Sequence, residues 1–165
     1  MALILVGKTK CPLCGNILED KQETVSFSPF VSNELDPLWP FSDAALHSAC
    51  FDHHPLWSEA IARHEEMRKK TAPGNRACVV CKAEIEDPDD YFGLGYFVSN
   101  PRDPLYHYNY TEAHESCLPN WSEVSHLYRL LRELKQSGQW KGSSLDETLL
   151  TLRETCEGGV ASNGT

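Results

Sequence analysis

No long hydrophobic run occurs in this sequence of 165 residues. The apolar stretch at its start, Ala2 to Val6, is far too short to cross a bilayer, which takes about 20 apolar residues. The stretch also has neither the basic beginning nor the long apolar centre of a secretory signal peptide. We therefore expect a soluble, cytoplasmic protein with no membrane partner.

Basic residues are scarce. Lys and Arg together number 15 against 24 Asp and Glu, which gives a net charge of −9. A protein that holds nucleic acid mainly through its phosphates needs an excess of cations, so the charge argues against that class. Hydrophobic residues make up 41% of the chain and charged residues 24%, a mixture typical of a folded globular protein.

The cysteines do not come in an even number, as a complete set of disulfides would require. Seven are present. In a protein without an export signal, thiols are kept reduced, so a disulfide framework is the weaker interpretation. Metal binding is the stronger one.

Six of the cysteines and two histidines form two copies of one pattern. In both copies the third residue follows the second by 33 positions, and each member of the second copy lies 67 positions after its counterpart. Zinc accepts thiolate and imidazole in a tetrahedron, and two such residues three positions apart can hold one ion from a tight turn. We therefore predict two structural Zn²⁺ ions rather than buried core cysteines. The predicted ligands are Cys11, Cys14, His47 and Cys50 in the first copy and Cys78, Cys81, His114 and Cys117 in the second.

The repeat extends beyond the ligands. The tetrapeptide Phe30 to Asn33 reappears as Phe97 to Asn100 at the same offset, and the segment after Pro55 matches the one after Pro119 at an offset of 64. In this alignment Phe51 to His53 has no counterpart in the second copy. Self-similarity at a fixed period is the signature of a duplicated module.

The pattern predicts an α+β fold of two tandem zinc modules with a C-terminal helix. The first module covers 1–72, the second 73–140, the C-terminal helix 141–157 and a disordered tail 158–165. Each module is expected to contain short strands, a metal-binding turn and a following helix. The predicted elements include a strand at Leu3 to Val6 and helices at Asp43 to His53, from Pro55, from Pro119 to about Ser137, and from Ser144 to about Thr155.

The layout resembles a treble-clef zinc finger over residues 11–51 and 78–117. Its His-x2-Cys pair is similar to that of PARP-type fingers, including the aromatic Phe51 after Cys50, and to the first half of a LIM domain. The resemblance to PARP-type fingers implies binding to broken DNA through basic and apolar surfaces, which the net charge disfavours. A LIM domain needs four further ligands downstream, and the chain does not supply them. Two sequential sites or one cross-braced pair both remain possible, although a duplicated module favours complete, sequential sites.

A site closed by four protein ligands, three of them thiolates, is typical of structural zinc. We therefore expect a non-enzymatic protein-binding module: an acidic adaptor or inhibitor masking a partner protein, for instance an immunity protein neutralising a toxin. Nucleic-acid binding of the PARP-type finger kind is the alternative. A more remote alternative is an HNH-like nuclease using Asp52, His53 and His54, which we expect instead at a helix end.

Two groups of side chains are candidates for contacting such a partner, which we expect to have a basic surface. The acidic group is Glu86, Asp87, Asp89 and Asp90. The aromatic group, just before each His-x2-Cys pair, is Phe41, Tyr108 and Tyr110, whereas Trp39 and Tyr106 are expected to pack inside.

Overall fold

The structure, a computed structural model, describes Leu5 and residues 7–161, with only the backbone given for 159–161. The predicted strand Leu3 to Val6 lies outside the described residues except for Leu5, as do the last four residues of the predicted tail. The chain divides into two compact units. Unit 1 comprises Met1–Ser32 and Asp36–Lys69, and unit 2 comprises Asn33–Leu35 and Lys70–Thr165.

Unit 1 is built on a two-stranded antiparallel sheet. Strand β1 (Thr24–Ser26) pairs with β2 (Ala45–His47), and Val25 faces Leu46. A short 3-10 turn, Trp39–Phe41, precedes β2. Helices α1 (Ser48–Asp52) and α2 (Trp57–Lys70) follow it.

Unit 2 repeats this order and adds one helix. Strand β3 (Tyr91–Gly93) pairs with β4 (Glu112–His114), 67 positions after their counterparts in unit 1. Three 3-10 turns cover Pro88–Asp90, Tyr106–Tyr108 and Glu115–Asn120. Helices α3 (Val124–Gln136) and α4 (Ser144–Ala161) complete the unit, and α4 continues past the end predicted near Thr155. The predicted α+β class with two zinc modules is confirmed.

The tight turn after the first ligand has the same geometry in both units. The N–H of Gly15 donates to the carbonyl oxygen of Cys11 (2.8 Å), and the N–H of Lys82 donates to that of Cys78 (2.9 Å). The turn requires a positive φ, which is 76° at Gly15 and 65° at Lys82. Glycine adopts this conformation freely, whereas a lysine is strained there. The two modules therefore keep one backbone geometry with different residues.

The predicted helix from Asp43 to His53 is wrong in its first half. Residues Ala45–His47 form β2, and helix α1 begins only at Ser48. Asp43 does not cap a helix but has a positive φ of 50°. The N–H of Phe27 donates to the carbonyl oxygen of Ala44 (2.9 Å), so pairing with the β1 segment outweighs local helix preference. His47 consequently lies at the end of a strand.

The two copies differ after the last ligand. Phe51 in α1 is 4% exposed, and Leu118 in the corresponding 3-10 turn is 0% exposed. Leu118 therefore takes the place of Phe51, and the three residues without a counterpart are 52–54 rather than 51–53. Pro119 inside the turn cannot donate a backbone hydrogen bond, which is consistent with a 3-10 turn replacing an α-helix.

Each unit has its own apolar core. In unit 1 four phenylalanine rings meet edge to face or tilted, with centroids 5.2 Å apart for Phe27 and Phe51 and 5.7 Å apart for Phe41 and Phe51. In unit 2 three leucines of α3, Leu127, Leu131 and Leu134, are buried in one cluster with Leu145 and Leu152 of α4. None of the described helices is long and apolar enough to span a membrane.

Candidate metal centres

The structure brings the eight predicted ligands together in two separate clusters. One contains Cys11, Cys14, His47 and Cys50, and the other contains Cys78, Cys81, His114 and Cys117. Within each cluster every ligand atom lies within 4.8 Å of the others. Each cluster draws all its members from one copy of the pattern, so the sites are sequential and not cross-braced.

The elements of the duplicated module place these ligands. The tight turn supplies the first two, the end of β2 or β4 supplies the histidine, and the helical turn that follows supplies the last cysteine. Cys11 and Cys78 are fully buried. Cys14 and Cys81 face solvent, so one edge of each cluster is at the surface.

The distances fit a tetrahedral zinc ion. Nδ1 of His47 lies 3.4 Å from Sγ of Cys14 and 3.8 Å from Sγ of Cys50. In unit 2, Nδ1 of His114 lies 3.4 Å from Sγ of Cys81 and 4.0 Å from Sγ of Cys117. Bond lengths of about 2.0 Å to nitrogen and 2.3 Å to sulfur separate such atoms by about 3.5 Å in a tetrahedron. The prediction of two structural zinc ions is confirmed in this sense.

A neighbouring side chain orients the histidine of the first cluster. Nε2 of His47 donates to the amide oxygen of Gln22 (2.8 Å). This oxygen only accepts, so Nε2 carries the proton and Nδ1 keeps its lone pair for the metal. Gln22 therefore acts through His47, as outer partners of zinc-bound histidines usually do.

The innermost thiol of each cluster ionises more readily than an ordinary cysteine. Burial disfavours the Cys11 thiolate, but the backbone N–H groups of His47 and of the turn outweigh that effect and lower the pKa to about 7. The balance is the same at Cys78, where the backbone groups of Cys81 and His114 lower the pKa to about 6. Thiolate is the form that binds zinc, so these backbone groups prepare the site for the metal.

The last thiol of each cluster favours its protonated form without a metal. The side chain of Cys14 raises the pKa of Cys50 to about 11, and burial together with neighbouring thiols raises that of Cys117 to about 11. A zinc ion removes these protons, so binding at neutral pH releases them. With three thiolates and Zn²⁺, each filled cluster carries a charge of about −1.

The donor set leaves no open position on either ion. Catalytic zinc usually has three protein ligands and one exchangeable water, whereas four protein ligands are typical of a structural site. Three thiolates also reduce the ability of the ion to polarise a substrate. The arrangement can therefore stabilise the fold, and it has no open coordination position for a substrate.

Comparison of the chain with protein-family models, with curated proteins and with solved structures finds no match.

The aromatic partner candidates are buried. Phe41 is 0% exposed, Tyr108 2% and Tyr110 6%. Trp39, which was expected to pack inside, is 40% exposed, and Tyr106 is half-buried. In both 3-10 turns the side chain of the third residue is buried, and that of the first residue is more exposed. The aromatic part of the predicted contact surface is therefore wrong, because these side chains are not accessible to a partner.

The histidines of the proposed nuclease site lie at the end of helix α1, as expected. Nδ1 of His53 donates to the carbonyl oxygen of Ala49 (2.7 Å). Nδ1 of His54 accepts the N–H of Leu56 (3.2 Å), and its ring meets Phe41 edge to face. Asp52 is exposed. The two imidazoles are thus bonded to backbone groups of their own helical turn and the loop after it.

The acidic group divides into two kinds of residue. Glu86, Asp87 and Asp89 are exposed, although the carboxylate of Asp87 accepts the N–H of Asp89 (2.9 Å). Asp90 accepts both the N–H and the hydroxyl of Ser116 (2.8 Å each), and the backbone bond is the main reason for its lowered pKa. Ser116 precedes the ligand Cys117, so Asp90 supports the metal site.

Sequence reasoning missed one pair of buried structural residues. Ser42 and Asn109 are both buried polar residues 67 positions apart. The signal was present in the alignment of the repeats, where a polar residue follows the aromatic positions in both copies. Gln22 was also missed, and no sequence pattern distinguishes it from other exposed polar residues.

Proposed function

We propose that this chain is a non-enzymatic, zinc-stabilised protein-binding module. It acts as an adaptor or inhibitor that masks the surface of a partner protein, for instance as an immunity protein that neutralises a toxin. The observation that carries the proposal is the closure of both metal clusters by four protein ligands. Metals held in this way stabilise small modules. The function is therefore expected to lie on the surface of the protein and not at the metal ions.

The exposed acidic segment before β3 supports a partner with a basic surface. Glu86, Asp87 and Asp89 project from the residues around the Pro88–Asp90 turn, in a chain of net charge −9. Opposite charge on a partner accelerates association and selects against wrong partners more than it adds affinity. The segment is therefore expected to act mainly on the rate of association.

The test isolates carboxylates that do not maintain the fold. In one variant, Glu84→Gln, Glu86→Gln and Asp89→Asn remove three exposed charges, while Asp87 and Asp90 keep their hydrogen bonds. The matched control removes three charges from exposed positions of helix α4, namely Glu147→Gln, Glu154→Gln and Glu157→Gln. Tagged wild-type protein is used to isolate the partner from its own host. Association rates of the purified pair are then measured over a range of salt concentrations.

We expect the first variant to associate more slowly and to lose most of the salt dependence, with two zinc ions still bound. The control should behave like the wild type. If the isolated partner is nucleic acid, and nuclease treatment removes it, the PARP-type alternative replaces this proposal. Cleavage of DNA that His53→Ala abolishes would contradict the absence of catalysis.

A further inference from the structure

A groove of about 660 Å³ runs between helices α3 and α4 of unit 2. Its apolar lining includes Tyr128, Leu149 and Leu150, and Leu150 is 47% exposed. Helix α4 follows the second copy of the duplicated module and has no counterpart in the first. The groove is therefore formed where the added helix lies beside α3, the helix of the second module.

Basic side chains surround this apolar lining. Arg132, Lys135 and Arg153 line the groove, and the single carboxylate among the lining residues, Asp146, is paired with Lys135. The guanidinium of Arg132 lies 5.5 Å from the ring centroid of Tyr128. In a chain of net charge −9, the groove thus has a local excess of positive charge around the exposed Leu150 and the partly buried Tyr128 and Leu149.

We propose that this groove binds a short amphipathic helix of a partner protein, with an apolar stripe on the leucines and Tyr128 and acidic residues facing Arg132 and Arg153. This surface is of opposite sign to the acidic segment, so the inference goes beyond the function proposed above. An adaptor with both surfaces engages a basic partner and an acidic one.

The geometry favours a helix over an extended peptide. Both walls of the groove are helices, whose backbone groups are already paired, so they offer no strand edge for a peptide to join. Positions 128–136 of α3 span about 12 Å, which corresponds to roughly two turns of a bound helix. A nucleic acid is disfavoured because Asp146 and the exposed Leu150 share the lining with only three cations.

The experiment selects ligands from a displayed library of helix-forming 16-residue peptides on the full-length zinc-loaded protein. The counter-selection uses the double variant Arg132→Glu with Arg153→Glu. Affinities of the selected peptides are then measured by fluorescence anisotropy for the wild type, the double variant and Leu150→Ser. The matched control is Arg102→Glu with Arg129→Glu, which reverses two exposed charges of unit 2 outside the groove.

We expect the selected peptides to share apolar residues at i, i+3 or i+4 and i+7, flanked by Asp and Glu. Their affinity should fall about tenfold or more in the double variant, because two attractive charge interactions with the acidic peptide are replaced by two repulsive ones. In the control the affinity should change little. Leu150→Ser should weaken binding without altering its salt dependence.

Three results overturn the proposal: selection of peptides without acidic residues, equal binding to the wild type and the double variant, or no enrichment at all. A single-stranded DNA probe that binds more tightly than the selected peptides, and displaces them, assigns the groove to nucleic acid instead. Circular dichroism of each variant and its zinc content show whether a loss of binding reflects unfolding.

Discussion

Ser42 and Asn109 perform the same task in the two units with different chemistry. The hydroxyl of Ser42 accepts the N–H groups of Phe30 and Val31 (3.0 Å each) and donates to the carbonyl oxygen of Val31 (2.7 Å). Asn109 bonds the equivalent three backbone groups, accepting through Oδ1 and donating through Nδ2. Both residues thereby provide hydrogen-bond partners for backbone groups of a segment that lies outside the β-strands.

Replacing Ser42 by Ala should lower the free energy of unfolding by about 2 kcal/mol, because it leaves buried donors and an acceptor unpaired. Urea unfolding of the zinc-loaded protein measures the change. Ser99→Ala, at an exposed serine, serves as the control and should have almost no effect. A loss of less than about 0.5 kcal/mol in Ser42→Ala, as for an ordinary surface change, would contradict this account.

His64 of helix α2 is an aromatic member of the unit 1 core. Its ring meets Phe27 and Phe30 edge to face, with centroids 5.1 and 5.6 Å away, and its Nε2 lies 2.9 Å from Oγ of Ser28. Burial, assisted by the nearby charge of Arg68, lowers the pKa of His64. The neutral imidazole is therefore the form that the fold prefers.

This preference makes stability depend on pH. In the unfolded chain the pKa of His64 is about 6.5, which is higher than its pKa in the folded protein. The unfolded state therefore binds the proton more readily. The contribution of the neutral imidazole to stability is complete above the unfolded pKa. It is lost as the pH falls from the unfolded pKa to the lower folded pKa. We expect the difference in unfolding free energy between the wild type and His64→Gln to shrink from pH 7.5 to 5.5. Acid also releases zinc, but this affects both proteins and cancels in the comparison. A difference in unfolding free energy that stays constant with pH would contradict the lowered pKa of His64.

At the scale of elements, strand β3 carries a cluster that β1 does not have. The hydroxyl of Tyr91 donates to the buried carboxylate of Glu112 (2.8 Å), and Arg76 lies 3.8 Å from the same oxygen. Burial raises the pKa of Tyr91 to about 12. A Cβ on Gly93 would overlap the Tyr91 hydroxyl oxygen, so the absence of a side chain makes room for the ring.

Gly93→Ala should displace Tyr91 and cost about 1–2 kcal/mol, since Glu112 then loses a hydrogen-bond donor. Tyr91→Thr should cost a similar amount. In unit 1 the equivalent positions are Thr24 and Ser26, which tolerate each other on one strand. The double variant Tyr91→Thr with Gly93→Ala should therefore cost no more than Tyr91→Thr alone, as thermal unfolding of the four proteins would measure. Strictly additive costs would mean that Gly93 has another role.

At the scale of the whole molecule, the metal links the small cores to folding. The duplicated module repeats at an offset of only 67 residues, and the apolar core of a module of this size is marginal by itself. The ligands of each cluster come together only in the folded unit, so zinc affinity contributes directly to the free energy of folding. Chelation at neutral pH should therefore remove most of the tertiary structure.

The two ions should bind independently, because every ligand of a cluster lies within one unit. His114→Ala should weaken or empty the second site, while the first site keeps its ion and the resonances of Leu46 and Phe51 stay in place. His47→Ala should have the converse effect. Native mass spectrometry gives the zinc content, and NMR spectra locate the change. Simultaneous loss of both ions in either variant would contradict independent sites.

Much of the metal chemistry could be predicted from the sequence. Residues three positions apart on a turn can bind one ion, and the offset of 67 favours four ligands from each copy, although only the structure excluded a cross-braced pair. The helix α3 could also be predicted, because its apolar residues recur at helical spacing and therefore lie on one face.

Other features were decided only by tertiary contacts. The residues before His47 became a strand because the segment around β1 offered hydrogen-bond partners, and local helix preference is too weak to compete. Phe41 is buried and Trp39 is exposed because of the way the 3-10 turn packs against the rest of the unit, which the sequence pattern does not reveal. The hydroxyl of Ser42 and the amide of Asn109 found the same buried backbone groups from different side chains, because the fold, rather than residue type, determined which groups needed a partner.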